Sequence, residues 1–492
     1  MRQPNWLLQR AQSAPDAPAL EAGAESWTFA ALAQLARRGG AYVAATAGPA
    51  EVPVALLLPG GMDYVAWLHA VSLAGRAMLP LNTRLTAAEL SSQLTDARVA
   101  CLLGEAGDTR LAELARRVPA LRVCAVPPLQ SLPPPQGPLP GEQLDPEATM
   151  AVLFTSGTTG RAKGACLSWA NFSASACAAA ARLGPAVRGR WLACMPLFHV
   201  GGLSILVRSV LFGGPVLLQA RFEAAAVSDA LDAGDVAGLS LVPTMLKRLL
   251  AQRGGRPAPE GLGVLLLGGA AAAPGLLDRA LAAGFPVCPT YGLTEAASQV
   301  ATAAPPAEKS TLSPMQALPG IELRIVAGDR LLPAGTPGEI AVRGPVVMQG
   351  YLNDAAATAR ALRGGWLLTG DIGYLDADGA VHVLDRRDDL LVSGGENVYP
   401  AEVEAVLLEH PAVSEIGVAG VPDSDLGTRV VAWVVTATGC TADAAALERF
   451  CRGRLAGYKL PREFRFVDSL PRTSAGKLQR SRLGEKTVDA SD

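Results

Sequence analysis

Paired cysteines, clustered histidines and long uncharged apolar runs are all missing from this sequence of 492 residues. Its eight cysteines are scattered without a C-x-x-C pair, which favours reduced thiols in a cytosolic protein over a disulfide framework. The four histidines show no spacing typical of zinc ligands. The absence of a charge-free run of about 18 apolar residues argues against a transmembrane helix. The N-terminus also lacks the apolar segment of a signal peptide, so we expect a cytoplasmic protein.

An excess of either charge is missing as well. The formal net charge is -2, so no overall field attracts nucleic acid or an anionic membrane. Half of the residues are hydrophobic, which excludes a disordered chain, and the length predicts more than one domain. Lysine is rare beside arginine, a bias most simply explained by genomic base composition. Lys163 and Lys477 nevertheless both lie in loops rich in glycine and hydroxyl groups, where a compact ammonium suits a phosphate oxygen.

Alternating strand-like and helix-like segments fill the first part of the chain. Residues 52–60 predict a buried strand, 62–75 a helix and 76–82 the next strand, a rhythm typical of a parallel sheet covered by helices. From about residue 318, short strands with glycine turns instead predict a small antiparallel barrel or sheet. The proline-rich connection at 131–148 is expected to contain no strand or helix.

A charged link near residues 386–389 ends this large region. We therefore predict an N-terminal domain over 1–385 and a C-terminal domain over 390–492. The fold class is α/β, with two parallel α/β sheet subdomains and a small β-barrel-like subdomain, followed by a small C-terminal α/β domain.

The run FTSGTTGRAKGA at residues 154–165 is the first stretch that indicates chemistry. Its glycines let the backbone approach an anion closely, its threonines can donate hydroxyl groups, and Lys163 can supply charge. It does not match the G-x-x-x-x-G-K-[ST] phosphate loop, because Gly164 follows the lysine. The structural alternative is an ordinary turn after a strand.

Three further stretches carry similar signals. In PTYGLTEAASQ (289–299), an aromatic face could stack on a base, and Thr294 and Glu295 could reach a phosphate and its Mg²⁺, although a helix N-cap would explain Thr294 too. In GWLLTGDIGYLDADG (365–379), Asp371 could accept both hydroxyl groups of a ribose, or simply lie in a hairpin. In LPRTSAGKLQRSRL (470–483), Lys477 could be catalytic or part of a basic tail.

In this order and at these separations, the four stretches resemble the adenylate-forming acyl-CoA synthetases, a superfamily that includes adenylation domains and luciferases. The resemblance implies an enzyme that uses ATP, Mg²⁺ and coenzyme A to convert a carboxylic acid into its thioester through an acyl-adenylate. It also implies a mobile C-terminal domain with a hinge at Asp388. Residues implied to bind the nucleotide or coenzyme A are Ser156, Thr158, Thr159, Gly160, Lys163, Gly268, Gly269, Ala270, Tyr291, Gly292, Asp371, Arg386, Gly394 and Gly395. Residues implied to act in catalysis are Lys477, Glu295 (also the Mg²⁺ ligand), Thr294 and His199.

The sequence gives less information about which carboxylic acid is the substrate. Ser204 and Arg208 are four residues apart and share one helix face, where the guanidinium could bind a second carboxylate or reach solvent. The stretches PLFHVGGLSILVRSVLFGG, RFEAAAV (221–227) and YGLTEAASQVAT resemble those of the o-succinylbenzoate–CoA ligases of menaquinone biosynthesis. The substrate of those ligases has two carboxylates and an aromatic ring, so the resemblance implies Ser204, Arg208, Ser298 and Gln299 as candidate acid-binding groups. Another aromatic, malonyl or medium-chain acid stays open. For Tyr458–Lys459, a basic surface patch is favoured over contact with coenzyme A.

Two rival interpretations stand beside this one. The adenylate could be passed to a carrier protein or oxidised, as in luciferases, or the chain could be a degenerate nucleotide-binding protein without activity. The presence of Lys477, Glu295 and Asp371 argues against the second rival. The expected partners are small molecules rather than nucleic acid or membrane, and a homo-oligomer is left open.

Overall fold

The structure is a computed structural model, and it describes residues 2–48, 52–155, 162–269, 272, 274–306, 311–385, 391–398, 400–471, 478 and 480–484. Two compact units divide these residues: most of the chain up to Asp385 belongs to a large unit, and most of the chain from Leu391 belongs to a small one. The fold is mixed α/β with parallel sheets, as the sequence predicts. No helix among the described residues is long and apolar enough to cross a membrane.

The helices of the chain are short to medium in length. Their bounds are α1 (Trp6–Ser13), α2 (Phe29–Thr46), α3 (Met62–Leu73), α4 (Ala87–Asp96), α5 (Arg110–Arg117), α6 (Trp169–Leu183), α7 (Val200–Phe212), α8 (Ala224–Asp232), α9 (Pro243–Arg253), α10 (Pro274–Ala282), α11 (Ala355–Ala361), α12 (Pro400–Leu408) and α13 (Ala444–Arg452). Helix α6 illustrates the local signals, because Ser168 and Asn171 cap its N-terminus reciprocally and Gly184 follows its end.

The first sheet of the large unit is parallel apart from one edge. Its strands in spatial order are β21 (Gly350–Tyr351), β10 (Lys163–Ser168), β9 (Thr149–Thr155), β5 (Met78–Pro80), β4 (Val54–Leu57), β6 (Cys101–Gly104) and β7 (Arg122–Ala125). The pairs from β9 to β7 are parallel, whereas β10 is antiparallel to both of its neighbours. The predicted strand, helix and strand at 52–82 are thereby confirmed as β4, α3 and β5.

The second sheet is parallel in its middle and antiparallel at both ends. Its strands in spatial order are β17 (Met315–Ala317), β16 (Ser298–Ala303), β15 (Val287–Leu293), β14 (Val264–Leu267), β13 (Val236–Leu241), β11 (Arg190–Ala193), β12 (Val216–Leu218), β2 (Pro18–Ala22) and β3 (Glu25–Thr28). Every residue of β4, β6 and β14 is buried, as expected for parallel strands covered on both faces.

The third sheet is antiparallel, as the glycine-punctuated sequence after residue 318 predicts. Its strands are β19 (Arg330–Leu331), β18 (Glu322–Ala327), β20 (Gly338–Arg343), β23 (Trp366–Leu375) and β22 (Leu362–Arg363), with β24 (Val381–Asp385) also paired to β23. The predicted hairpin at residues 376–379 joins β23 to β24.

The prediction for the proline-rich connection was wrong. Single 3₁₀ turns form at Leu129–Ser131 and Pro140–Glu142, and β8 (Gln143–Leu144) pairs with β1 (Gln3–Pro4). The reason is long-range: Nδ2 of the Asn5 side chain donates a hydrogen bond to the Gly141 carbonyl across 136 residues, which fixes the connection against the N-terminus. Local proline content carries no information about such a contact.

The small unit is an α/β module. Strands β27 (Val413–Asp423) and β28 (Gly427–Thr436) are antiparallel, and β29 (Glu463–Phe466) joins β28 in parallel. A separate hairpin is formed by β25 (Leu391–Ser393) and β26 (Glu396–Val398). Apolar residues of β27, β28, α12 and α13 form its core. The predicted domain limits at 385 and 390 stay predictions.

Candidate active site

The glycine-rich run lies between two antiparallel strands of the first sheet. Strand β9 ends at Thr155 and β10 begins at Lys163, and these two residues are directly opposite each other. The predicted phosphate-binding residues Ser156, Thr158, Thr159 and Gly160 lie outside the described residues. Lys163 therefore stands at the base of the predicted phosphate loop.

The second stretch forms a tight hairpin rather than the start of a helix. Strand β15 ends at Leu293, a 3₁₀ turn covers Thr294–Ala296, and β16 begins at Ser298. Only glycine fits at position 292, because a Cβ atom there would lie 1.8 Å from the Ser298 carbonyl oxygen. Ala297 and Ser298 have φ angles of 51° and 103°, positions that cost a non-glycine residue about 1–3 kcal/mol. This hairpin fixes the backbone on both sides of Glu295.

Glu295 is buried at the centre of a polar cluster. Its Oε1 accepts a hydrogen bond of 2.9 Å from the Tyr351 hydroxyl and a longer one of 3.4 Å from Thr155. Its main-chain carbonyl accepts from the Met348 amide at 2.8 Å. Within the described part of the chain, Oε2 of Glu295 accepts no hydrogen bond, so this oxygen is available to a metal ion. Mg²⁺ is usually bound by one or two carboxylates together with phosphate oxygens. The cluster therefore fits the predicted metal role of Glu295.

Sequence reasoning missed Tyr351. The run that contains it, MQGYL, shows only a strand and a glycine, and nothing local distinguishes its tyrosine from a core residue. The structure places the Tyr351 ring 5.4 Å from the Lys163 ammonium, so the same side chain contacts two predicted nucleotide-binding residues.

Tyr291 and Asp371 come together from different sheets. The Tyr291 hydroxyl donates a hydrogen bond of 2.7 Å to Oδ2 of Asp371, across 80 residues of sequence, and both side chains are buried. The Asp371 amide also donates to Oγ1 of Thr369 at 3.1 Å. Tyr291 is four residues from Glu295 on one hairpin, so the predicted adenine, ribose and metal residues belong to one region of the large unit.

The second glycine turn follows β14. A Cβ atom at Gly268 would meet the Thr290 carbonyl oxygen at 2.9 Å, and Gly269 has a φ of +82°. Glycine at both positions lets this turn approach the strand that leads to Tyr291. Ala270 lies outside the described residues.

The predicted acid-binding residues lie on α7. His199 precedes this helix as its N-cap residue, and its ring packs against Phe198 with centroids 4.6 Å apart. Arg208 is only 3% exposed, so its guanidinium does not reach solvent. It stacks on Trp191 at 4.7 Å and donates a 3.4 Å hydrogen bond to Oγ of Ser204.

No carboxylate pairs with Arg208 among the described residues, and its Nη2 and the neighbouring Trp191 Nε1 lack hydrogen-bond acceptors there. Burial lowers the pKa of Arg208 to about 10, a value that still leaves the group charged at neutral pH. Buried donors are normally hydrogen-bonded, so the role of Arg208 toward the acid stays a prediction with two donors that an anionic group could satisfy.

Gln299 makes a contact within its own hairpin. Its Oε1 accepts a 3.0 Å hydrogen bond from Thr302, which in turn contacts Thr290 at 2.7 Å. The roles of Ser298 and Gln299 toward the acid stay predictions.

The small unit holds the two glycines predicted to line the pantetheine channel. Gly394 and Gly395 form the turn between β25 and β26, with φ angles of +59° and +85°, and the Gly394 amide donates to the Leu426 carbonyl at 2.9 Å. Arg386, Asp388 and Lys477 lie outside the described residues. The predicted surface patch at Tyr458–Lys459 was wrong: Lys459 is 5% exposed and its ammonium pairs with Glu402 at 2.7 Å.

Comparisons with known proteins agree with this site. A family model described as AMP-binding enzyme matches residues 7–352, and one described as AMP-binding enzyme C-terminal domain matches residues 402–477. A 2-succinylbenzoate–CoA ligase of Geobacillus kaustophilus is 42% identical over 98% of this chain and 97% of its own length.

Solved structures give the same result. A double mutant of the o-succinylbenzoate CoA synthetase of Bacillus subtilis, bound to the product analogue OSB-NCoA, matches with a TM-score of 0.93, 37% identity and 99% coverage of both chains. The Bacillus subtilis enzyme in complex with ATP and magnesium matches with a TM-score of 0.75 and 37% identity over 98% of this chain and 100% of that one. The phosphate-loop strands, the Glu295 hairpin and the Tyr291–Asp371 contact thus lie within a chain that belongs to the AMP-binding enzyme family.

Proposed function

We propose that this protein is a 2-succinylbenzoate–CoA ligase of menaquinone biosynthesis. It converts the acid, ATP and coenzyme A into the acyl-CoA, AMP and pyrophosphate through an acyl-adenylate. The full-length similarity to ligases of that name supports this reaction, and so does the cluster around Glu295. The observation that carries the choice of acid is the guanidinium of Arg208, which is buried and has no carboxylate partner among the described residues.

In the first half-reaction, a carboxylate oxygen of the acid attacks the α-phosphorus of ATP and pyrophosphate leaves. The carboxylate is already a nucleophile, so the obstacle is the repulsion between two anions rather than a missing base. Lys163, at the base of the glycine-rich run, supplies positive charge for the phosphates. Glu295 would hold Mg²⁺, which when bound offsets the negative charge of the phosphates. Asp371 accepts hydrogen bonds from the ribose beside Tyr291.

In the second half-reaction, the thiol of coenzyme A loses its proton to solvent and its sulfur attacks the acyl carbonyl carbon, while AMP leaves with the electron pair of the broken mixed-anhydride bond. We propose that Lys477 bridges the acid and the α-phosphate in the first step only. A hinge at Asp388, with the C-terminal domain from residue 390, would then bring Gly394 and Gly395 to the pantetheine. These assignments rest on the resemblance of the motifs.

Arg208 supports a dicarboxylic aromatic acid in particular. A long fatty acid requires an apolar tunnel, and a buried cation beside it would remain unpaired. 2-Succinylbenzoate offers one carboxylate for adenylation, a second one for the guanidinium, and an aromatic ring that suits the Trp191 surface. Ser204, which contacts Arg208, would complete this binding site.

A panel of acids tests the proposal. Purified protein is given ATP, Mg²⁺, coenzyme A and one acid at a time, among them 2-succinylbenzoate, benzoate, malonate and a medium-chain fatty acid, and AMP release is measured. We expect the highest kcat/KM for 2-succinylbenzoate. Preference for the fatty acid would overturn the choice of acid, and adenylate formation that coenzyme A does not consume would overturn the ligase reaction.

We further propose a cytoplasmic location and small-molecule partners only. All eight cysteines are free thiols, which is consistent with a reducing compartment where ATP and coenzyme A are available. Size-exclusion chromatography with light scattering would determine whether the protein forms a homo-oligomer.

A further inference from the structure

Tyr351 connects two charged residues that reach the site from different sheets. It lies on the short edge strand β21, opposite Ala165 of β10, and is 9% exposed. Its amide donates to Oγ1 of Thr358 at 2.8 Å. The preceding Gly350 has a φ of +147°, and a Cβ atom there would lie 2.8 Å from the Thr358 side chain. The backbone of Tyr351 is therefore fixed independently of the nucleotide.

The hydroxyl group of Tyr351 donates its hydrogen bond to one of the two carboxylate oxygens of Glu295 and leaves the other one available. The 2.9 Å bond from Tyr351 and the 3.4 Å bond from Thr155 both end on Oε1. The segment before Tyr351 also holds the main chain of Glu295, because the Met348 amide donates to the Glu295 carbonyl. A carboxylate held at its main chain and at one oxygen presents the second oxygen in a single direction, as a metal ligand requires.

The ring of Tyr351 contacts the positively charged side chain of Lys163. The Lys163 ammonium lies 5.4 Å from the ring centroid, within the range of a cation–π contact. An aromatic face restricts a flexible lysine side chain without neutralising it, so the ammonium can still interact with a phosphate. Hydroxyl and ring thus act on two residues of opposite charge that would both contact the same Mg²⁺–triphosphate.

We propose that Tyr351 is a positioning residue for Mg²⁺-ATP: its hydroxyl orients Glu295 toward the metal, and its ring orients Lys163 toward the phosphates. The inference rests on the ATP-dependent part of the proposed function and is independent of the acid. The competing explanation is that Tyr351 only fills the hydrophobic core, in which it also takes part.

Equilibrium binding without any acid separates these explanations. We would measure the Kd of ATP by calorimetry, once with saturating Mg²⁺ and once with EDTA, for the wild type and the Tyr351→Phe variant. Loss of the hydroxyl alone is expected to weaken binding about tenfold with Mg²⁺ and less than twofold with EDTA. Unchanged binding in both conditions, or equal weakening in both, would overturn the role assigned to the hydroxyl.

Two further variants isolate the contribution of the ring. Tyr351→Leu removes the aromatic face as well and is expected to weaken ATP binding several-fold even with EDTA. Tyr64→Phe is the matched control, because Tyr64 is a fully buried tyrosine on α3 whose hydroxyl has no hydrogen-bond partner among the described residues. Its Mg²⁺ dependence is expected to equal that of the wild type, and a loss like that of Tyr351→Phe would overturn the proposal.

A kinetic measurement on the same variants keeps this proposal distinct from the choice of acid. Acid-dependent ATP–pyrophosphate exchange is expected to slow about tenfold in Tyr351→Phe, whereas thioester formation from supplied acyl-adenylate stays within twofold. Equal slowing of both reactions would point to general damage and reject a positioning role. If 2-succinylbenzoate proves not to be the substrate, the binding measurement still decides the role of Tyr351.

Discussion

Arg208 in the large unit and Lys459 in the small unit are both buried cations, at 3% and 5% exposure, yet their surroundings differ. Burial opposes the charge on Lys459, but the carboxylate of Glu402 at 2.7 Å more than offsets it and raises the pKa of the ammonium. Arg208 has Trp191 and a hydroxyl group as neighbours and no carboxylate within the described ranges.

Because Lys459 is paired and Arg208 is not paired among the described residues, we expect the two cations to have different roles. A buried charge is expensive unless it is paired, so a cation paired with a carboxylate of the same unit is part of the fold. A cation without a counter-ion among the described residues needs a partner from elsewhere, and we propose that the substrate supplies it. Arg208 is therefore expected to affect substrate binding, and Lys459 is expected to affect stability.

The largest effect is expected for Lys459→Met. Removal of the ammonium leaves the largely buried carboxylates of Glu402 and Glu89 without their cation, which lowers the free energy of unfolding by about 3–5 kcal/mol. Urea denaturation followed by circular dichroism measures the change. The ammonium also pairs with Glu89 at 2.8 Å, so the double variant Lys459→Met/Glu402→Leu removes one of the two unpaired carboxylates and is expected to recover part of the loss. If the single variant is as stable as the wild type, the pair is not structural.

A smaller effect, and one of a different kind, is expected for Arg208→Met. Loss of a buried partner for the second carboxylate is expected to reduce kcat/KM for 2-succinylbenzoate about 100-fold, or about 2.7 kcal/mol. The free energy of unfolding should not decrease, because the variant removes an unpaired charge. Turnover of benzoate, which lacks the second carboxylate, serves as the internal control. An equal loss with benzoate would contradict binding of a second carboxylate.

His69 provides a third case, a half-buried base whose surroundings oppose its charge. It lies on α3 beside a small cavity lined mainly by apolar side chains, among them Trp169 and Leu203. Burial lowers the pKa of His69 from 6.5 to about 4, so between these pH values the unfolded chain binds a proton that the folded chain does not.

Stability is therefore expected to fall as pH decreases from 6.5. Between pH 6.5 and 5, His69 should reduce the free energy of unfolding by about 2 kcal/mol, at 1.36 kcal/mol per pKa unit. Denaturation curves of the wild type and of His69→Leu at the two pH values isolate this contribution. The same pH dependence in both proteins would show that folding does not lower the pKa of His69.

The smallest effect is expected for Arg208→Lys. The charge is kept, but the planar fork that binds a carboxylate through two hydrogen bonds is lost. We expect about a tenfold reduction in kcat/KM for 2-succinylbenzoate, between the wild type and Arg208→Met. A loss as large as that of the methionine variant would mean that geometry rather than charge determines binding at this position.

Several elements could be predicted because their signals are local. The parallel strands around residues 52–82 follow from short apolar runs separated by a helical pattern, and the hairpin after β23 follows from its turn residues. The candidate nucleotide residues could be named because glycine, hydroxyl groups and a lysine stand together in one run. Tyr351 and the burial of Lys459 could not be predicted, since each depends on partners at least 56 residues away in sequence.

The sequence by itself determined the α/β class, the loops where backbone amides could bind a phosphate, and the family that these motifs resemble. These properties depend on hydrophobic periodicity and on hydrogen-bonding groups, and both can be recognised in stretches of a few residues. Only the tertiary structure decided which of the described charges are buried and which of them are paired with a carboxylate. A hydroxyl at position 351 contacts Glu295, and Tyr291 contacts Asp371, because strands from different sheets bring them within hydrogen-bonding distance. Burial and long-range proximity are properties of packing, and packing depends on the whole chain.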